Sequence, residues 1–198
     1  MRYMFMWGHS ENKACQLCHH NQTLGHVVAG CKSSLDQGRY TWWHDSVLSY
    51  IANTLSRFCK NVYADIPSFA SPCIVTGDHE RPDIVLVQQK VVTIVELTIG
   101  FETNMEGNSK RKRDKYKTLK SNLLPKYYDV RYVNVSMGAC GFIEKDSRNF
   151  FELLRYIKVP ENEILFFTKR ITNICIRLSY HIFCRRNKEW TSPELLSF

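Results

Sequence analysis

Two carboxylates, Asp83 and Glu96, stand at the ends of two apolar runs, and their spacing is suited to holding a divalent cation. Asp83 opens the run Ile84–Val85–Leu86–Val87, and Glu96 lies near the end of Val91–Leu97. The short Gln88–Gln89–Lys90 connection predicts an antiparallel hairpin of Asp83–Gln88 with Val91–Leu97. Residues near the open ends of such a hairpin lie opposite each other, so Asp83 meets Glu96 across the ladder. A carboxylate pair on rigid strands suits Mg²⁺, which takes hard oxygens and usually only one or two carboxylates, completed by waters and substrate phosphate. From the strands alone a plainer arrangement fits as well, with Asp83 capping the turn after Pro82 and Glu96 paired to a basic neighbour. An acid this close to a buried run is costly unless paired or metal-bound.

The residues that follow are strongly basic. Lys110, Arg111, Lys112, Arg113, Lys115, Lys117 and Lys120 face a single acid, Asp114, within eleven residues. Read as a helix, this segment puts Lys112, Lys115 and Tyr116 on one face, able to point at the carboxylates, while Leu119 and Leu123 continue toward the core. A second constellation lies upstream, Cys15-x2-Cys18-x7-His26-x4-Cys31. Two thiolates on a tight turn and a second pair from a short loop or helical turn are what four-coordinate structural Zn²⁺ requires. His19 and His20 are rivals for the imidazole but stand too near Cys18 to close the ring comfortably. The alternative is a set of scattered reduced cysteines. A unit this small has little apolar core, so metal binding would drive its folding. Cys59, Cys73, Cys140, Cys175 and Cys184 are expected to fill apolar space.

Arg81–Pro82–Asp83, twelve intervening residues, Glu96 and then Lys112-x-x-Lys115-Tyr116 resemble the restriction-like endonuclease domain of site-specific non-LTR retrotransposons, a branch of the PD-(D/E)xK nucleases. Most of that superfamily keeps a lysine two residues after the second acid, where this chain has Thr98; in the retrotransposon branch the lysine function moves to the following helix. The order of a Cys-Cys-His-Cys knuckle and then a nuclease extends the likeness. The resemblance implies an α/β (α+β) fold, a restriction endonuclease-like mixed sheet flanked by helices with a small N-terminal zinc knuckle. It implies a metal-dependent DNA endonuclease that nicks one strand, with Asp83, Glu96 and the Leu97 carbonyl holding Mg²⁺ or Mn²⁺. Lys112 or Lys115 would orient the attacking water or neutralise the phosphorane, and Tyr116 would add a hydrogen bond. His44, with Asp45, matches a histidine near the catalytic end of the family's sheet, although Trp43 stands where arginine is usual. Arg81, contacting phosphate or Glu96, and Lys110, Arg111, Arg113 and Lys117 would meet nucleic acid, DNA first and RNA second. Nothing in the chain resembles a reverse transcriptase, so it is expected to be a truncated element or a host-captured fragment acting inside the cell, in the nucleus. The competing expectation is a catalytically silent zinc-knuckle module that only binds nucleic acid.

These residues need a scaffold, and 198 residues suffice for one α/β core with a small appendage. The net charge of +8 favours a polyanionic partner, and much of it sits in Lys110–Lys120 and Arg185–Lys188. Residues 1–14 lack a signal-peptide pattern, and the best apolar stretch, Ile164–Cys184, is broken by Lys169, Arg170 and Arg177, so no membrane partner is expected. Apolar spacing predicts a helix over His44–Cys59, started by Asp45 or Ser46 as a cap, and strands at Val62–Ala64 and Val130–Val135. Ile66–Arg81 is a punctuated connection, and Met137–Ile143 is either a second half of the last strand or a turn. Helices follow at Asp146–Ile157 and Glu161–Cys184, with Arg185–Lys188 as a solvated tail. The divisions are residues 1–36 for the knuckle and arm, 37–158 for the nuclease core and 159–198 for the last helix and tail.

Overall fold

The computed structural model describes residues 13–77 and 81–195; residues 1–12 of the expected N-terminal arm, and with them most of the stretch read for a signal peptide, lie outside the described residues. After a single π-helical turn, His26–Gly30, the helices are α1 (Lys32–Asp36), α2 (Arg39–Ser56), α3 (Cys73–Thr76), α4 (Met105–Lys115), α5 (Lys117–Leu123), α6 (Arg148–Tyr156) and α7 (Glu161–Cys184). The strands are β1 (Val62–Ala64), β2 (Ile84–Gln88), β3 (Val91–Gly100) and β4 (Asp129–Gly138), in spatial order β1-β2-β3-β4. The first three run antiparallel, and β3 and β4 are parallel from Val91↔Asp129 to Gly100↔Gly138. A parallel pair needs a crossover, and α4 with α5 supplies it. That puts the basic segment on one face of the sheet.

Helices cover both faces, which is why β3 is buried along most of its length. On one face, Ile84, Leu86, Val95 and Leu97 pack with Val47, Leu48 and Ile51 of α2 and Phe167 and Ile171 of α7. On the other, Val85, Val92 and Ile94 pack with Tyr116, Leu119 and Leu123. Strand alternation then decides where the acids point. Asp83 shares the phase of Val85, and Glu96 that of Ile94, so both carboxylates belong to the face that carries α4 and α5.

Several local expectations change. The helix α2 begins at Arg39, not His44, behind Gly38 in the left-handed region (φ 75°). Ser46 donates to the Trp42 carbonyl at 2.7 Å and lies a full turn inside the helix, as does Asp45, so neither caps it. The apolar pattern extends upstream because Trp42 and Trp43 are both core residues. Arg39 is fully buried and donates to Gln37 Oε1 at 2.7 Å and to the carbonyls of Arg185 and Lys188 at 2.8 Å each. Arg185–Lys188 is therefore clasped along its backbone, with Trp190 packed edge-on against Trp42, while the side chains of Arg185, Asn187 and Lys188 stay exposed to solvent as expected. The basic segment is not one helix: it breaks at Tyr116 (φ −91°, ψ 6°). Met137–Ile143 is both end of strand and turn, closed by a Met137↔Ile143 bridge around Gly141 at φ 83°. Of the five cysteines expected to fill space, Cys59 and Cys175 are buried, Cys73 is half-buried, and Cys140 and Cys184 are exposed. Among the described residues no helix is long and apolar enough to cross a membrane.

Candidate active site and metal cluster

The register Ile84↔Val95 extends by one step to face Asp83 with Glu96, as the two-residue turn requires. The contact is reciprocal. The Asp83 backbone N–H donates to Glu96 Oε1 at 2.9 Å, and the Leu97 N–H donates to Asp83 Oδ2 at 2.7 Å. From α4, Lys112 Nζ lies 3.0 Å from Asp83 Oδ2, 3.0 Å from Glu96 Oε2 and within hydrogen-bond reach of the Leu97 carbonyl. From the second turn of α2, His44 Nε2 approaches Asp83 Oδ2 at 3.4 Å while its Nδ1 is 3.0 Å from Asp45 Oδ1. Glu96 is 1% exposed, whereas the side chains of Asp83 and Lys112 keep 16% and 25% of their surface, so the cluster opens to solvent on the Asp83 side.

Charge in the cluster is divided unequally. Burial, and next the Asp83 charge, push Glu96 up from 4.5 to about 7 against the pull of Lys112. Burial works against Asp83 as well, but the His44 hydrogen bond and charge, Lys112 and the Leu97 N–H together hold it well below the usual carboxylate range. Burial would lower His44, yet its bonds to Asp45 and Asp83 raise it to about 9, so it is charged at neutral pH. Burial likewise opposes the charge on Lys112, and Asp83 and Glu96 more than offset it. One carboxylate is thus depressed and the other raised, beside two cations.

The polar positions that fix α4 against the sheet carry no motif and escaped sequence reasoning. Ser109, one turn before Lys112, is fully buried and pairs with Ser136 Oγ at 2.7 Å and with Asn134 Nδ2 at 3.1 Å; Thr98 Oγ1 reaches Asn134 Oδ1 at 3.3 Å. Polar residues recurring at Asn134 and Ser136, on the strand phase that faces α4, were the available signal.

Of the other expected site residues, Tyr116 is buried and donates to the Arg81 carbonyl at 3.1 Å. Burial, then the Glu96 charge, raise its hydroxyl far above the ordinary phenol value. Lys115 does not reach the carboxylates: its exposed side chain lies over the Tyr116 ring, 4.7 Å from the centroid, and its amine donates to the Tyr116 hydroxyl at 3.1 Å. Arg81 does not reach Glu96; it pairs with Asp65 at 2.6 Å, because Asp65 closes β1 beside the start of β2. Arg113 pairs with Asp146 at 2.8 Å and Lys117 with Asp114 at 2.7 Å, while Lys110 and Arg111 are exposed.

The second cluster also assembles. Cys15, Cys18, His26 and Cys31 present ligand atoms that all lie within 4.8 Å of one another. The sulfurs of Cys15 and Cys31 are 3.9 Å apart, those of Cys31 and Cys18 3.7 Å, and Cys18 Sγ is 3.2 Å from His26 Nε2. Tetrahedral Zn²⁺ with bonds of about 2.3 Å to sulfur sets edges of about 3.8 Å, so the cluster can hold zinc. The knuckle is not a free module. Val27 and Val28 belong to the main core, Tyr40 of α2 bonds to its backbone at Cys31 and Val27, and Gly25 lies so close to Phe101 that a Cβ there would stand 2.9 Å from the ring.

No protein-family model matches the chain, and no curated protein is significantly similar to it.

Proposed function

We propose that the chain is a metal-dependent endonuclease of the restriction-like type, acting on DNA and derived from a retrotransposon polyprotein. The observation that supports it most is the convergence of Asp83 Oδ2, Glu96 Oε2 and the Leu97 carbonyl on one cationic point, held by Lys112. Three hard oxygens around one position fit Mg²⁺ or Mn²⁺ in chemistry; bonds of about 2.0–2.1 Å would require the two carboxylate oxygens to draw in by roughly 1 Å, the Leu97 carbonyl by less, and Lys112 to move aside. A bound divalent ion supplies a Lewis acid for a phosphodiester oxygen and a more acidic coordinated water.

The chain's own residues account for the rest. Lys112, displaced from between the carboxylates, stays close enough to neutralise charge developing on the phosphate. His44, charged and anchored by Asp45, fixes the orientation of Asp83 and keeps it ionised. Tyr116 ties the Arg81 backbone to the crossover and supports the site from beneath. Lys110, Arg111, Arg113, Lys115 and Lys117 project from the surface, where phosphate contacts position a backbone without reading its sequence. The knuckle, with structural Zn²⁺, adds a second nucleic-acid surface, and the chain works in the nucleus.

A specific observation favours a second reading. The Lys112 ammonium already satisfies both carboxylates, and Glu96 is almost closed to solvent, as in a silent module that binds DNA or RNA. Incubation of supercoiled plasmid with the zinc-loaded chain and Mg²⁺ separates the two. Nicking that disappears in Asp83→Ala and Glu96→Ala supports the nuclease; salt-sensitive binding without nicking, untouched by those substitutions, supports the silent module.

A further inference from the structure

Two adjoining cavities of about 460 and 530 Å³ run along β4, the last strand of the sheet, and share Lys120, Tyr132 and Asn149. The first is lined by Tyr116 and Asn134, on the face that carries the carboxylates; the second is lined by Arg131 and Val133, on the opposite strand phase. Together they form a trough that starts beside the acid cluster and passes over the sheet edge. Each has the volume of a small-ligand site, sized for bases and not for a double helix.

The lining carries three tyrosines and the cations Arg113, Lys117, Lys120 and Arg131, beside two acids, Asp146 and Glu152. Tyr116 and Tyr132 stack with centroids 6.1 Å apart, and Arg131 lies 4.6 Å from the centroid of Tyr156, which is 48% exposed at the far end. The Tyr132 hydroxyl is buried without a hydrogen-bond partner among the described residues and is closed to solvent, so Tyr132 offers the trough its ring and not its hydroxyl. Arg113, Lys117 and Arg131 are engaged with Asp146, Asp114 and Asp129 in exposed pairs, which are weak enough for phosphate to replace the acid. Cations alone suffice to hold a duplex backbone, whereas open aromatic faces serve unpaired bases.

We propose that this trough binds an unpaired DNA strand, with a base stacked on Tyr156 and phosphates on Lys120 and Arg131. The inference rests on the nucleic-acid reading above but does not require cleavage. The test is fluorescence anisotropy of the zinc-loaded full chain with a labelled oligothymidylate of about twelve nucleotides, within the usual span of single-strand sites, and with a blunt duplex of equal length. Tyr156→Ala is expected to weaken oligothymidylate binding by about 5- to 150-fold, the worth of one stacked base, and to leave duplex binding unchanged. Tyr156→Phe, which keeps the ring, retains affinity. Lys120→Ala lowers the slope of log affinity against log salt by about 0.7. An unchanged oligothymidylate affinity in Tyr156→Ala, or an equal loss for duplex and single strand, overturns the proposal. Tyr156-dependent binding by a chain that never nicks plasmid upholds it and sinks the nuclease; nicking without Tyr156-dependent binding does the reverse.

Discussion

Glu96→Gln separates the charge of this carboxylate from its shape. In the folded chain Glu96 is raised from 4.5 to about 7, so between those values the native state keeps a proton that the unfolded state has released. The stability contributed by neutral Glu96 is therefore complete below about pH 4.5 and is lost as pH rises through 7. At about 1.4 kcal/mol per pH unit, the whole gap amounts to about 3 kcal/mol. Glutamine has no such dependence but carries its own penalty. Its oxygen takes the place of Oε1 and accepts from the Asp83 N–H, which leaves its amino group against the Lys112 ammonium, donor facing donor, at a cost of about 1–3 kcal/mol. By pH 5 the parent has already given up about 0.8 kcal/mol of this contribution, so the variant should be less stable by about 0–2 kcal/mol there, and should equal or exceed the parent at pH 8. Urea unfolding from pH 5 to 8, with zinc saturating and Mg²⁺ omitted, measures the difference. Taking it between two proteins cancels the contributions of His44 and of the knuckle. A difference that stays flat across this range means that Glu96 is ionised throughout, held by Lys112 as an ordinary ion pair, and the reasoning fails.

Removal of zinc, by chelation or by Cys15→Ser, should lower the stability of the entire chain in one cooperative transition, because Val27 and Val28 belong to the main core. Tryptophan fluorescence and metal release followed together in urea test this, and a knuckle that melts alone contradicts it. Arg39→Met should cost about 1–3 kcal/mol, since it leaves the Lys188 carbonyl without its Arg39 donor and the Arg185 carbonyl with only the Lys188 N–H. Hydrogen exchange should accelerate from residue 185 to residue 190; unchanged exchange there refutes the clasp.

The hairpin register was legible because a two-residue turn leaves one pairing, and that pairing brings Asp83 to Glu96 without further assumption. The zinc ligands were legible from spacing, and α7 from an apolar repeat whose ends coincide with those observed. Helix periodicity makes Lys112 and Lys115 equivalent, and both lie on α4, yet only Lys112 reaches the acids, the Lys115 amine stopping at the Tyr116 hydroxyl; the basic segment then breaks at Tyr116. That break has no local signal, since it follows from Tyr116 being drawn into the core between β3 and β4. Arg39 was illegible for a different reason. Its partners are carbonyls about 150 residues away along the chain, and composition assigns an arginine to solvent by default. The start of α2 was misplaced with it, because the residues that continue the pattern upstream are tryptophans, which serve turns and surfaces as readily as helix cores.

Sharing one core with the sheet leaves the knuckle no hinge of its own. Any polymer touching both the metal cluster and the carboxylates would meet them at a fixed offset, as marks on a ruler, and its footprint would have a set length that linker flexibility could not stretch. Lengthening the chain around Gly25, where it presses on Phe101, would blur that measure before it altered either end.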